Sequence, residues 1–175
     1  RVLFRSGGDF TSLVKFDGTN GLCPYAPMIR AQNGFFYGTT VGNFSGLYTN
    51  GCRFGTIFRM STNGDLANLF TFSGTNGEAP SKLTELDGCF IGATSYGGIS
   101  NKGTIFTFST NGELNTVLNF VGTNGATPTA GVTVGADGRL YGTTQVGLSG
   151  SWGDGTVYRV STNGELTLLH EFSAG

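Results

Sequence analysis

The chain has 175 residues, 38% of them hydrophobic, enough to bury one sizeable core and to form one domain or a piece of one. Charged residues make up only 12% and the formal net charge is -1, which leaves no basic surface for nucleic acid and no polybasic contact with a membrane. No apolar run approaches the ~18 residues of a membrane span. The 31 glycines and 15 phenylalanines fit short aromatic strands between tight turns better than long helices or disorder.

From the N-terminus, "RVLFRSGGDF" reads as a degenerate third-strand hairpin. It carries neither a methionine nor a signal-like segment, so a processed chain or an excerpt of a longer one is expected. The tripeptide TNG then recurs, at Thr19, Thr49, Thr62, Thr75, Thr110, Thr123 and Thr162. A catalytic motif is needed once, whereas a turn is needed at every corner of a repeating fold. Asn-Gly is therefore expected to supply the two positive-φ residues of a type I′ turn. Cutting after each GTN gives units 21–76, 77–124 and 125–175, preceded by a partial unit 1–20 that holds only the last two strands. This is a tandem repeat of about 50 residues.

Each unit reads as four strands. The first follows a proline (Pro27, Pro80 or Pro128) and ends at Asn33-Gly34, Asp87-Gly88 or Asp137-Gly138. The second strands are 35–40, 89–94 and 139–144, and the third are 55–60, 103–108 and 155–160. An STNG turn hands each third strand to a fourth, 66–72, 114–120 or 166–172. The middle strands are apolar on both faces and the fourth is mixed, as in a β-propeller blade whose middle strands pack between neighbours. The expected fold is all-β and propeller-like, with four antiparallel strands per blade and three full blades plus a half blade. A duplicated β-sandwich is the rival.

The words Leu140-Tyr141-Gly142-Thr143-Thr144, Gly155-Thr156-Val157-Tyr158-Arg159 and STNGEL with its terminal phenylalanine resemble the GloVer-type tandem repeats of bacterial surface proteins. The likeness covers nearly the whole chain. It implies an exported protein held to the cell by one of several anchors, and it implies no known catalytic residue. Ile91 and Ala93 depart from the YGTT word in the second unit. Kelch repeats, through Gly97-Gly98, and NHL repeats, through the order Pro, Asp-Gly, Leu-Tyr, are weaker matches.

In an up-and-down blade, the loops between second and third strands share one end with the GTNG links. These loops, 41–54, 95–102 and 145–154, differ in length, and variable loops on a repeated scaffold are where binding resides. They carry Phe44, Tyr48, Tyr96 and Trp152, aromatics suited to stacking on sugar rings, with packing of their own loops as the alternative. Cys23 and Cys52 fall at that end of one unit and are expected to form a disulfide, with Cys89 a free thiol. Asn43-Phe44-Ser45 is a glycosylation sequon.

Catalysis is not expected. The sole histidine, His170, aligns in an apolar column with Val14, Phe70 and Leu118. Asp9, Asp65, Glu113 and Glu165 recur beside turns, and no carboxylates have metal-ligand spacing, so no metal or cofactor is expected. Asn20, Asn76 and Asn124 are explained by turn chemistry rather than calcium. The expectation is an extracellular or cell-surface structural and adhesive module, not an enzyme, that self-associates with further blades or copies. A lectin-like glycan binder using the variable face is the alternative, and a propeller-based polysaccharide enzyme is a distant third.

Overall fold

The computed structural model describes residues 11–42, 53–150 and 152–173. Among these, all regular structure is β, in three antiparallel sheets with no helix. The first sheet runs β1 (Ile29–Arg30), β2 (Phe36–Thr40), β3 (Thr56–Met60), β4 (Leu66–Thr71) in spatial order. The second holds β5 (Glu78–Pro80) and β6 (Thr84–Leu86), both paired with β7 (Cys89–Tyr96), then β8 (Thr104–Ser109) and β9 (Leu114–Asn119). The third runs β10 (Val132–Val134), β11 (Leu140–Val146), β12 (Trp152–Val160), β13 (Leu166–Glu171). Each is an up-and-down blade, and together they form the propeller-like all-β fold expected. Among the described residues, 11–17 form no ladder, but Phe16 stacks on Phe58, with centroids 5.2 Å apart, where a preceding fourth strand would lie.

The innermost strand departs from the expected continuous one. In the second blade it is broken into β5 and β6 around a bulge at residues 81–83. The residues preceding Pro24, Pro80 and Pro128 are left-handed: Cys23 (φ 55), Ala79 (φ 55) and Thr127 (φ 59). Their shared conformation makes Pro24, and not Pro27, the counterpart of Pro80 and Pro128. A residue before proline is ordinarily extended, and a β-branched threonine in the left-handed region is strained.

The turns also differ from expectation. At STNG the amide of Gly64 donates to the Ser61 carbonyl and that of Ser61 to the Asp65 carbonyl, at 3.2 and 2.9 Å, and the other two STNG turns repeat the pattern. Asn63, Asn111 and Asn163 keep negative φ, and the glycine alone is left-handed. That is a type I turn closed by a glycine bulge, which needs one positive-φ residue and not two. Only Asp87-Gly88, with φ of 50 and 78, matches the two-residue I′ pattern among the described hairpins. At GTNG the asparagine side chain closes its own turn, Oδ1 of Asn76 accepting from the Ser73 amide at 3.0 Å and Oδ1 of Asn124 from the Val121 amide at 2.8 Å.

Two repeated devices hold each blade. Buried threonines face one another across the second and third strands, with hydroxyls 2.8 Å apart for Thr40 and Thr56, 2.8 Å for Thr94 and Thr104 and 2.7 Å for Thr144 and Thr156. The Thr94 hydroxyl also accepts the Thr104 amide at 3.1 Å and donates to the Tyr96 carbonyl at 2.9 Å. The last glycine of GTNG presses on this pair: a Cβ on Gly77 would sit 2.5 Å from Cγ2 of Thr94. In the second device, the third-strand aromatics Phe58, Phe106 and Tyr158 lie over Gly38, Gly92 and Gly142, where a Cβ would meet the ring or its hydroxyl at 2.4–2.5 Å.

The outer sides of those rings meet the neighbouring blade. Phe72 stacks edge-on against Phe106 at 5.4 Å and Phe120 against Tyr158 at 5.3 Å. The core is thus two inter-blade clusters, one around Tyr37, Ile57, Phe72 and Phe106 and one around Ile91, Ile105, Phe120 and Tyr158. Tyr158 differs from its phenylalanine counterparts by a hydroxyl that is buried without a partner, and burial pushes its pKa up.

Two stability outcomes follow. Gly77→Ala, strained in φ and clashing with Thr94, is expected to cost about 3 kcal/mol or more in urea unfolding, whereas Gly88→Ala, left-handed but with open space around it, costs about 1–2 kcal/mol. Tyr158→Phe removes an unsatisfied buried hydroxyl and is expected to stabilise the chain by about 1 kcal/mol.

Candidate functional site

The inner segments of the three blades converge on a cavity of about 410 Å³, in the size range of small-ligand sites. Its walls are largely apolar: Ala26 and Pro27 from the first blade, Ala79 and Pro80 from the second and Ala130 from the third. Val41, Ser95 and Tyr96, where β2 and β7 run out toward the variable loops, place it at the end of the blades predicted to bind. The left-handed Ala79 is what brings Pro80 here. Its amide donates to the Phe54 carbonyl at 3.0 Å, and Pro80 abuts Gly55, whose missing side chain leaves room for the ring.

Polar groups are few. The Ser81 hydroxyl donates to the Ala93 carbonyl at 3.0 Å, and the Ser81 carbonyl accepts from the Thr39 hydroxyl at 2.9 Å, which ties the bulge to the first blade. Among the described residues Lys82 is the only charged side chain on the wall, and no carboxylate lines it. Tyr25 stands 88% exposed at the rim.

Of the four aromatics expected at a binding face, Tyr96 lines this cavity. Trp152 is 66% exposed and opens β12, opposite Val146, so it lies on a strand and not in a loop as expected. Phe44 and Tyr48 lie outside the described residues, as does the sequon asparagine, Asn43. Cys23 is an exposed free thiol and so is Cys89. The partner expected for Cys23, Cys52, lies outside the described residues. His170 is exposed and packs edge-on against Phe172 at 4.7 Å. Among the described residues no group of three or more His, Cys, Asp or Glu is arranged to hold a metal.

Sequence reasoning missed Tyr25, Lys82 and the first-strand segments of the cavity. The available signal was the recurring Pro two residues beyond the residue that follows a GTNG glycine, in Gly21-Leu22-Cys23-Pro24, Gly77-Glu78-Ala79-Pro80 and Gly125-Ala126-Thr127-Pro128.

A second feature is an open face. In the first two blades, the side turned to the following unit buries Tyr37, Ile57 and Phe72 or Ile91, Ile105 and Phe120, all at most 2% exposed. On the third blade Phe172, the counterpart of Phe72 and Phe120, is 49% exposed, and Leu169, whose counterparts Leu69 and Val117 are half-buried, is 47% exposed. Thr143 is exposed as well, although its counterpart Thr39 is buried against the next blade's Ser81.

This repeated arrangement of blades agrees with the family comparison. The profile described as the Gloeobacter/Verrucomicrobia repeat matches residues 2–175, and the chain belongs to that family. No curated protein matches it. Among solved structures it is similar to a candidate gluconolactonase, at 15% identity and a TM-score of 0.54 over 93% of this chain and 52% of that one. It is also similar to a gluconolactonase of Xanthomonas campestris, at 15% identity and a TM-score of 0.53 over 85% of this chain and 46% of that one. A thermostable family-43 glycoside hydrolase follows at 19% identity and a TM-score of 0.49, over 86% and 59%. The chain spans about half the length of the two gluconolactonases.

These likenesses correct the expectation that the chain is not an enzyme. The architecture it shares is one on which gluconolactonases are built, so a propeller-like repeat chain is no argument against catalysis. At such identity the likeness carries the fold alone.

Both described cysteines are expected to react with a thiol reagent such as dithionitrobenzoate in the folded protein, and Cys23→Ser should remove one fast-reacting thiol without lowering the melting temperature. A Cys23 that reacts only after reduction would restore the disulfide.

Proposed function

We propose that the chain is a self-associating structural and adhesive module of an extracellular or cell-surface protein. The observation that carries this reading is the exposed face of the third blade. Each unit ends in a phenylalanine that stacks on a third-strand aromatic of the following unit: Phe16 on Phe58, Phe72 on Phe106, Phe120 on Tyr158. Phe172 ends the series half exposed, with only His170 against it among the described ring contacts.

An apolar face shaped like two buried interfaces of the same chain favours a further repeat unit over an unrelated partner. The fit is set by the pattern already used twice: a left-handed residue, a proline that seats on the glycine before the third strand, and an aromatic ring over a glycine. Gly155 occupies the place of Gly55 and Gly103. The proline rings that abut those two, Pro80 and Pro128, come from the following blade. Low charge leaves little repulsion to oppose such contact between copies.

Native mass spectrometry and sedimentation are expected to show assemblies of this chain. The pair Leu169→Lys and Phe172→Asp, placing charge on the open face, should shift the population to monomer while leaving the circular dichroism unchanged. A stable wild-type monomer would end the assembly reading.

A further inference from the structure

The axial cavity is separate from the open face, and its chemistry selects a different kind of occupant. We propose that it is a binding site for a small carboxylate with a flat apolar body, such as an aromatic or alicyclic acid, held by Lys82.

Charge supplies the first argument. Lys82 lies half-buried on the bulge between β5 and β6, on a wall with no carboxylate among its described residues. Its ammonium makes no ion pair or hydrogen bond among the described residues, where Arg139–Asp137 is the one ion pair. The nearby Glu85 instead accepts the amide of Gln32 in the first blade, at 3.3 Å. A cation beside apolar walls gains most from an anion that enters the cavity with it.

The second argument is that the repeat does not require this lysine. Register places Leu83 opposite Gly92, as Met28 is opposite Gly38 and Val132 is opposite Gly142. The residue one position earlier is Lys82 in the second blade, Pro27 in the first and Gly131 in the third. Propeller packing is therefore satisfied without a cation. Room has nevertheless been made for the lysine, because Gly131 lies against its stem and a Cβ there would come within 2.9 Å of Lys82 Cγ. The neighbouring blade thus shapes the space in which the side chain lies.

The third argument distinguishes an apolar acid from a sugar. A sugar ring brings several hydroxyls that each need a partner when buried. Here the Ser81 hydroxyl is already committed to Ala93, and Ala26, Pro27, Val41, Ala79, Pro80 and Ala130 offer no side-chain polar atom, so that, the tyrosines aside, the described walls leave only the hydroxyls of Ser95 and Thr129 for a sugar ring. A flat apolar body can use these walls and the rings of Tyr25 and Tyr96, leaving the carboxylate for Lys82. Strain is consistent with a built site, since the left-handed Ala79 lines this cavity.

Isothermal titration of the intact chain with 2-naphthoate tests this, with neutral 2-naphthamide and D-glucuronate as comparison probes. The expected result is saturable naphthoate binding at a single site, about tenfold or more tighter than naphthamide. Lys82→Met keeps the stem against Gly131 and should reduce naphthoate affinity about tenfold while leaving naphthamide unchanged. Lys82→Arg should retain naphthoate binding, and Ala130→Trp, filling the cavity, should abolish it, each variant being checked for an unchanged melting temperature. Equal affinity for acid and amide, indifference to Lys82→Met in a folded variant, tighter binding of glucuronate than naphthoate, or no heat with naphthoate would each overturn the proposal.

Discussion

The constraint on which this structure turns is the end of one aromatic ring packed over one glycine. Phe58, Phe106 and Tyr158 each cover the glycine opposite them in the second strand, at distances that no side chain on that glycine would permit. Removing a Cβ weakens a strand, but here the ring fills the vacated space and keeps its outer side free for the preceding unit's terminal phenylalanine. A single contact therefore joins two strands within a blade and one blade to the next. It also explains why glycine stands in YGTT and in its departed form IGAT alike, although Ile91 and Ala93 replace the residues on either side.

The polar interactions follow from the same geometry. Close approach of the second and third strands buries a facing pair of threonines, and a buried hydroxyl must be satisfied. Each pair satisfies itself, and in the second and third blades the second-strand threonine also donates onward, to the carbonyl of Tyr96 or Val146. The glycine ending GTNG then lies against that threonine, so the link between blades is anchored to the hydrogen-bonded centre of the next one. With so few charges in the chain, hydroxyls and amides carry the specificity that ion pairs carry elsewhere, and their partners are nearly all local or in the adjacent blade.

Past the anchored glycine, the chain must turn sharply to reach the inner edge, and it does so through a strained left-handed residue and a proline. This places three apolar proline-bearing segments around one axis and opens the cavity between them. The scaffold and the candidate site are therefore not independent: the strained residue that starts the second blade, Ala79, also forms part of the cavity wall. The repeat supplies the walls, while the single lysine and the exposed tyrosine at the rim are particular to their own blades.

By itself the sequence determined what is local and periodic: the four-strand unit, its period, the turn positions and the aromatic columns, because these depend on alternation and on residues a few positions apart. It also marked the end of the blades at which the cavity opens, since loop length varies visibly there. Tertiary structure alone decided the rest. The turn type at TNG depended on whether asparagine or only glycine turned left-handed, and the ladder's hydrogen bonds settled it. Trp152 looked like a loop residue because a strand's length is set by its pairing partner, here Val146, and not by its own composition. Lys82, Tyr25 and Ala130 are separated by tens of residues and share no motif. Only the docking of three blades, the second and third each seating its proline on the glycine of the one before, brings such residues to a common wall, and no local pattern in a single chain encodes that convergence.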